Sequence, residues 1–256
     1  LANLSTILQG EQQTLDYLAA EALARQPRDV QAWLLQTSIL DRFCASLCAA
    51  VCAPPADSVS SSFTGEEFIR WLNESNLFVI SLDRHGYWFR YHHLFQDLLQ
   101  NQLSNVLGSK EIAELHSRAS GWYLANELLE DAIHHALAAG DIVGAAEIIE
   151  ANRFAQNEAG QWHAIERWLA MLPAVIKEAR PKLILAEAWI ASVRFQMDRI
   201  PPMLKQAEAL LGEQSPDRHL WGELHCFRGT LMYWSGEAEA SARTLKKALS
   251  MITRKD

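Results

Sequence analysis

The spacing of apolar residues along the chain changes abruptly between residues 77 and 99. Residues 77–82 alternate as in a strand, 83–86 supply turn residues (Asp-Arg-His-Gly), and 87–91 form a second short aromatic strand. The period then becomes helical, and one face collects Leu94, Phe95, Leu98, Leu99 and Leu103. A hairpin at 77–91 that leads directly into a helix predicts the wing end of a winged-helix domain.

The pattern before the hairpin predicts short helices. Residues 1–52 carry apolar stripes at helical spacing, including Val30, Trp33 and Leu34, and Pro27 ends an earlier stripe at 15–23. A Pro- and Ser-rich linker follows at 53–63. Thr64-Gly65-Glu66-Glu67 is a capping box that begins a helix to about residue 73, so the winged-helix core is expected at 64–107.

From residue 109 onward, helices and short turns alternate without further strand signals. Breaks at Gly160, Asp198 and Gly236 give two successive intervals of 38 residues, a period typical of stacked helix pairs. The sequence therefore predicts a mainly α protein, in which the winged helix is followed by a TPR-like α-solenoid at 109–256. Because no polar capping helix closes the array, we expect incomplete repeats that continue in a longer parent protein.

Composition narrows the class of protein. Hydrophobic residues make up 49 % of the 256 residues, and the net charge of −8 argues against a nucleic-acid surface along the whole chain. No apolar stretch is long enough for a membrane span. The N-terminus does not resemble a signal peptide and does not begin with an initiator methionine. We therefore expect an excised cytoplasmic fragment with reduced thiols. Cys44, Cys48 and Cys52 lie on one helical face and are expected to pack as small apolar groups.

Catalytic and metal-binding motifs are absent from the sequence. It contains no GxxxxGK[ST] loop, no GxSxG and no HExxH, so we expect this chain not to be an enzyme and to hold no cofactor or metal of its own. At the hairpin–helix junction, one histidine of the pair His92-His93 either packs or presents a hydrogen-bond donor to a phosphate held by a neighbouring domain. Which residues line a ligand or partner groove is unknown from the sequence. Most of the later aromatic residues have apolar neighbours at helical spacing and are expected in the core: Trp122, Tyr123, Trp162, Trp168, Trp189, Trp221, Tyr233 and Trp234.

Three segments carry a family resemblance. They are 34–42 (LLQTSILDR), 88–95 (WFRYHHLF) followed by 97–99 (DLL), and 135–141 (HALAAGD) preceded by Trp122-Tyr123. Their order and spacing resemble the middle of the MalT-like ATP-dependent LuxR-family transcriptional regulators, which are signal-transduction ATPases of the STAND class.

The resemblance implies a nucleotide-binding domain upstream, a winged helix and repeat sensor here, and a DNA-binding helix-turn-helix downstream. In the parent it implies ATP or ADP as cofactor, ATP hydrolysis, and an inducer-dependent oligomer. His92 aligns with the histidine that contacts the β-phosphate of ADP in related proteins, although Tyr91 and His93 depart from their Met-His-Asp motif. The expected partners are the nucleotide-binding domain and a small-molecule inducer or regulatory protein on the solenoid, with no DNA or membrane bound by this fragment. Two alternatives stay open: a DNA-binding winged helix, and a scaffold solenoid of another STAND protein such as a kinase.

Overall fold

The computed structural model describes residues 21, 23–52, 63–75, 78–212 and 217–252. The expected stripe at 15–23 and the linker at 53–63 lie largely outside these ranges. Contacts divide the chain into two compact units, residues 1–141 and 142–256. The described part of the chain is mainly α-helical with one two-stranded antiparallel sheet, which confirms the expected fold class.

The first unit contains six described helices and the hairpin. In chain order they are α1 (Arg28–Thr37), α2 (Ala45–Cys52), α3 (Gly65–Ser75), β1 (Val79–Ser81), β2 (Phe89–Tyr91), α4 (His93–Val106), α5 (Ser109–Ala125) and α6 (Leu129–Ala138). The capping box is confirmed, because the Thr64 backbone N–H donates to Glu67 Oε2 and the Glu67 N–H donates to Thr64 Oγ1. A side chain at Gly65 would collide with the Ala45 carbonyl oxygen at 2.0 Å, so glycine permits the close approach of α3 to α2.

The three cysteines are confirmed as core residues of α2 and its N-terminal flank. Cys44 and Cys48 are fully buried, Cys52 is almost so, and all three thiols are free. Burial raises the pKa of the Cys48 and Cys52 thiols, which disfavours the reactive thiolate.

The first helix pair, α5 and α6, packs on the winged-helix residues. Arg118 donates to the Val51 carbonyl oxygen at 2.9 Å, and the Tyr123 hydroxyl donates to the Arg42 carbonyl oxygen at 3.1 Å. Arg42 also pairs with Asp131 at 2.8 Å. The contact boundary after residue 141 thus differs from the boundary expected at 108–109, and separate folding of the two predicted segments stays a prediction.

The second unit consists of successive helix pairs. Its helices are α7 (Ile142–Glu158), α8 (Trp162–Met171), α9 (Ala174–Glu178), α10 (Pro181–Val193), α11 (Ile200–Leu211), α12 (Arg218–Trp234) and α13 (Ala238–Met251), with a 3₁₀ turn at Met197–Arg199. Pro201 and Pro202 fall in the first turn of α11, where a missing N–H costs no helical hydrogen bond. Glycine at 229 lets α12 approach α13, since a Cβ there would lie 2.6 Å from the Leu245 side chain.

One turn recurs between the helices of each pair. A residue with positive φ ends the first helix, and the next N–H donates back across the last helical turn, as in Gln161 to the Gln156 carbonyl oxygen (2.8 Å). Glycine takes the positive-φ position at 160 and 236, whereas Glu127 takes it after α5 with φ 60° and Phe195 takes it after α10 with φ 57°. An aromatic side chain in this conformation is strained.

A buried ion pair crosses the second unit. The Arg153 guanidinium on α7 donates two hydrogen bonds to the Glu223 carboxylate on α12, at 2.6 and 2.7 Å, and both side chains are 3 % exposed. Trp189 of α10 donates a third bond to the same carboxylate at 2.9 Å. Three helices therefore meet at one carboxylate group.

Replacement of that carboxylate should destabilise the second unit strongly. We expect Glu223→Gln to lower the free energy of unfolding by about 3–5 kcal/mol, because it leaves the Arg153 charge buried without a counter-charge. Chemical denaturation followed by circular dichroism measures the change. The matched control is Glu239→Gln, whose side chain on α13 is 95 % exposed and which should change stability by less than about 0.5 kcal/mol. Equal stability of the two variants would contradict this role of the ion pair.

A histidine pair lies between α5 and α6 in the first unit. The Nδ1 atoms of His116 and His135 are 2.8 Å apart, so one ring donates to the other, and Tyr123 stacks on His135. Burial, followed by the charges of His116 and His134, lowers the pKa of His135 to about 3. Burial also lowers the pKa of His116.

This lowered pKa predicts a loss of stability in acid. In the unfolded chain His135 binds a proton near pH 6.5, whereas in the folded chain it stays neutral down to about pH 3. Protonation therefore favours the unfolded chain, and the free energy of unfolding is highest above pH 6.5 and declines as the pH falls toward 3. Between pH 7.5 and 5 we expect His135 to account for a loss of about 2 kcal/mol in the free energy of unfolding. Chemical denaturation at both pH values measures this change. The free energy of unfolding should depend less on pH in His135→Gln than in the exposed control His85→Gln. Identical dependences in the two variants would contradict the assignment.

No helix in the described ranges combines the length and apolar character that a membrane span requires.

Candidate functional site

Asp83 holds the turn of the hairpin. Its carboxylate accepts hydrogen bonds from the backbone N–H groups of Trp88 (2.6 Å), His85 (2.8 Å) and Tyr87 (3.1 Å). These bonds, that from Trp88 above all, hold the pKa of the Asp83 carboxyl below its ordinary value. A carboxylate bonded to three N–H groups fixes the path of the chain from one strand to the next.

The second strand is paired along both edges. On one side Ile80 lies opposite Arg90 and Val79 opposite Tyr91. On the other side the backbones of Phe43 and Phe89 exchange two hydrogen bonds at 2.8 and 2.9 Å. β2 is therefore held between β1 and the segment that leads into α2.

The residue before the predicted site is anchored in the core. Tyr91 is 2 % exposed, and its hydroxyl lies 2.7 Å from Thr37 Oγ1, which is itself bonded to the Trp33 carbonyl oxygen of α1. Burial raises the pKa of Tyr91, so the hydroxyl stays protonated. Gln96 of α4 adds two hydrogen bonds to the carbonyl oxygens of Ser38 and Leu40. The strand–helix junction is thus fixed from both sides.

His92 lies between the end of β2 and the first residue of α4. Its backbone N–H donates to the Phe78 carbonyl oxygen at 2.7 Å, its own carbonyl oxygen accepts from Gln96, and it is the N-cap residue of α4. The side chain makes no capping hydrogen bond and is half-buried. The ring of His93, the first helical residue, lies 4.4 Å from it, centroid to centroid, and this residue is exposed.

Arg90 shares the outer face of the strand with His92. Phe89 and Tyr91 point into the core, so the alternation of the strand turns Arg90 and His92 the other way, about 7 Å apart along the chain. Sequence reasoning singled out His92 and did not name Arg90. The alternation of apolar, charged and apolar residues in Phe89-Arg90-Tyr91 is the sequence signal that could have identified it.

The local electrostatics suit an anion. The first turn of α4 contains no acidic residue, and the first N–H groups of a helix lack helical acceptors and carry a partial positive charge. Together with the His92 ring and the Arg90 guanidinium, this helix end offers donors of the kind that bind one phosphate group.

The structure also locates the candidate metal ligands and the later aromatic residues. Among the described residues, no group of three or more His, Cys, Asp or Glu side chains is arranged to hold a metal ion. Tyr123 and Trp168 are buried, and most of the other predicted core aromatics are half-buried. Tyr233 and Trp234 are the exceptions, with 64 % and 65 % exposure, because they end α12 at a turn.

Comparison with known proteins gives a consistent family match. Residues 19–111 match the model of the MalT winged helix domain. The chain is 26 % identical over 239 residues to the HTH-type transcriptional regulator MalT of Yersinia enterocolitica, covering 93 % of this chain and 26 % of that protein. The MalT proteins of Cronobacter sakazakii and Serratia proteamaculans are each 27 % identical, again over 93 % of this chain and 25 % of theirs. The chain thus spans about a quarter of the length of these relatives.

Proposed function

We propose that this chain, whose residues 19–111 match the MalT winged helix domain and which is similar to MalT regulators over most of its length, links a nucleotide switch to a helical sensor in a transcriptional regulator. In this proposal the winged helix contacts ADP held by an upstream nucleotide-binding domain. The helix pairs receive an inducer or a regulatory protein. The observation that carries the proposal is the position of His92 at the N-terminus of α4.

The residues at the junction fit a phosphate group. A bound ADP supplies a β-phosphate with negative charge, which prefers the positive end of a helix and charged or neutral N–H donors. His92 is half-buried and has a ring free of capping hydrogen bonds, so it can donate without first breaking one. Arg90 adds positive charge on the same face of the strand.

The strength of this contact explains why the switch needs an additional domain. One charge-assisted hydrogen bond contributes about 1.5–3 kcal/mol, whereas micromolar binding requires about 8 kcal/mol. The junction alone therefore binds nucleotide weakly. It can bias an equilibrium between two states of a larger protein, provided that it contacts ADP in only one of them.

The charges of the winged helix favour this role over DNA binding. Among the described residues, α3 contains Arg70 as its single basic side chain against Glu66, Glu67 and Glu74, and α4 contains neither Lys nor Arg. A helix that reads DNA needs several basic residues for the phosphates.

The proposal predicts the effect of removing the His92 ring in the full-length parent. His92→Ala should weaken the ADP-bound resting state by about 1–3 kcal/mol, a 5- to 150-fold shift toward the active state, because one phosphate contact is lost. ADP retention after desalting should fall, and reporter output without inducer should rise.

His93→Ala is the matched control, because it removes a neighbouring exposed ring and should change both readouts less. Thermal melting of each variant verifies that the fold is intact. A folded His92→Ala protein that retains ADP and stays silent would show that this histidine has a purely structural role.

A further inference from the structure

A cavity lies between the helices of the second unit. Its volume is about 210 Å³, and it opens between α8, α9, α10, the 3₁₀ turn and α11. This is room for several waters or one small organic molecule. The floor is apolar and is formed by Leu169, Ile190, Ala191 and Met203.

Two ion pairs occupy the wall of the cavity. Arg194 donates to Glu166 at 2.7 Å, and Lys177 pairs with Glu187 at 3.1 Å. Each of these four charges already has a partner of opposite sign. They shape the cavity and leave little net charge for a ligand.

Arg199 is different, because it lines the same cavity and has no acidic partner. Its guanidinium donates to the neutral Gln196 side chain at 2.9 Å, and no carboxylate of the described residues lies within salt-bridge distance of it. It is also the N-cap residue of α11, so the positive end of that helix adds to its charge. The cavity therefore combines an apolar floor with one cation that lacks a counter-charge.

Backbone strain lies at the rim of the cavity. Phe195 stands between the lining residues Arg194 and Gln196, with φ 57° and 79 % of its side chain exposed. The equivalent turns after α7 and α12 use glycine. Strained residues concentrate at ligand-binding segments, where an exposed aromatic ring can close over a ligand.

We propose that this cavity binds a small organic monocarboxylate with a short apolar chain. Arg199 pairs with the carboxylate, and the floor around Met203 and Ile190 receives the apolar chain. The two ion pairs in the wall cancel, so Arg199 supplies the one net positive charge of the lining, which matches a single carboxylate. This assignment deepens the sensing role proposed above and rests on that role for its regulatory consequence.

Methionine methyl NMR of the 256-residue chain tests the binding directly. Met203 lines the cavity, whereas Met232 and Met251 lie on the last helix pair and serve as internal references. Titration with hexanoate should shift the Met203 methyl signal saturably at millimolar concentration and leave the references in place. Hexanamide, which keeps the chain without the charge, should bind about tenfold more weakly.

Substitution of the cation separates recognition from simple filling of an apolar space. Arg199→Gln should weaken hexanoate binding about tenfold and leave hexanamide binding unchanged. The matched control is Arg243→Gln, an exposed arginine on α13 outside the cavity, which should bind hexanoate as the unmodified chain does.

Three results would overturn the assignment: no saturable shift of Met203, equal binding of hexanoate and hexanamide, or an Arg199→Gln variant that binds hexanoate normally. Because no nucleotide is present in the titration, its failure would leave the nucleotide switch standing. Conversely, a silent His92→Ala parent would leave the titration result intact.

Discussion

Short amphipathic helices cannot bury their apolar faces alone, and this constraint governs both units of the chain. In the first unit, α5 and α6 cover the winged-helix residues through Arg118, Tyr123 and the Arg42–Asp131 pair. In the second, each pair packs on the next, and the Glu223 carboxylate joins helices from three successive pairs. The hairpin depends on the same packing, because the buried Tyr91 and Phe43 side chains fix its second strand.

The same packing holds the candidate site at the hairpin–helix junction in place. Asp83 fixes the turn, Tyr91 anchors the strand end, and Gln96 anchors the first turn of α4. The backbones of the outward residues Arg90 and His92 are therefore held in place, and the His92 side chain makes no capping hydrogen bond. A rigid frame with unused donors is what a switch needs if it is to respond to the presence of one phosphate group.

The sequence predicted those features that depend on local pattern. The capping box at Thr64, the helical stripe of Val30, Trp33 and Leu34, and the change of period at the hairpin all require only neighbours along the chain. The same holds for the buried cysteines of α2, whose helical spacing places them on one face.

Features that depend on contacts distant in sequence could not be predicted. The partners Arg153 and Glu223 are 70 residues apart, and neither position carries a signal of burial in the sequence. The contact of α5 with α2 is a second case, since Arg118 and Val51 are 67 residues apart. Phe195 is a third case, since its positive φ follows from a recurring turn in which glycine is the usual residue.

The outward pairing of Arg90 with His92 follows from register, and register is set by the hairpin as a whole. The role proposed for this pair requires the upstream nucleotide-binding domain of the proposed switch. The central proposal is that the junction senses nucleotide in the intact protein.

Hydrogen exchange of the full-length parent tests that claim most directly. The peptide that covers 79–95 should exchange more slowly with ADP bound than without nucleotide, because the contact holds the N-terminus of α4 and the strand before it. A peptide from α13 serves as the reference for general stabilisation. Equal exchange of 79–95 in the two states would contradict the account.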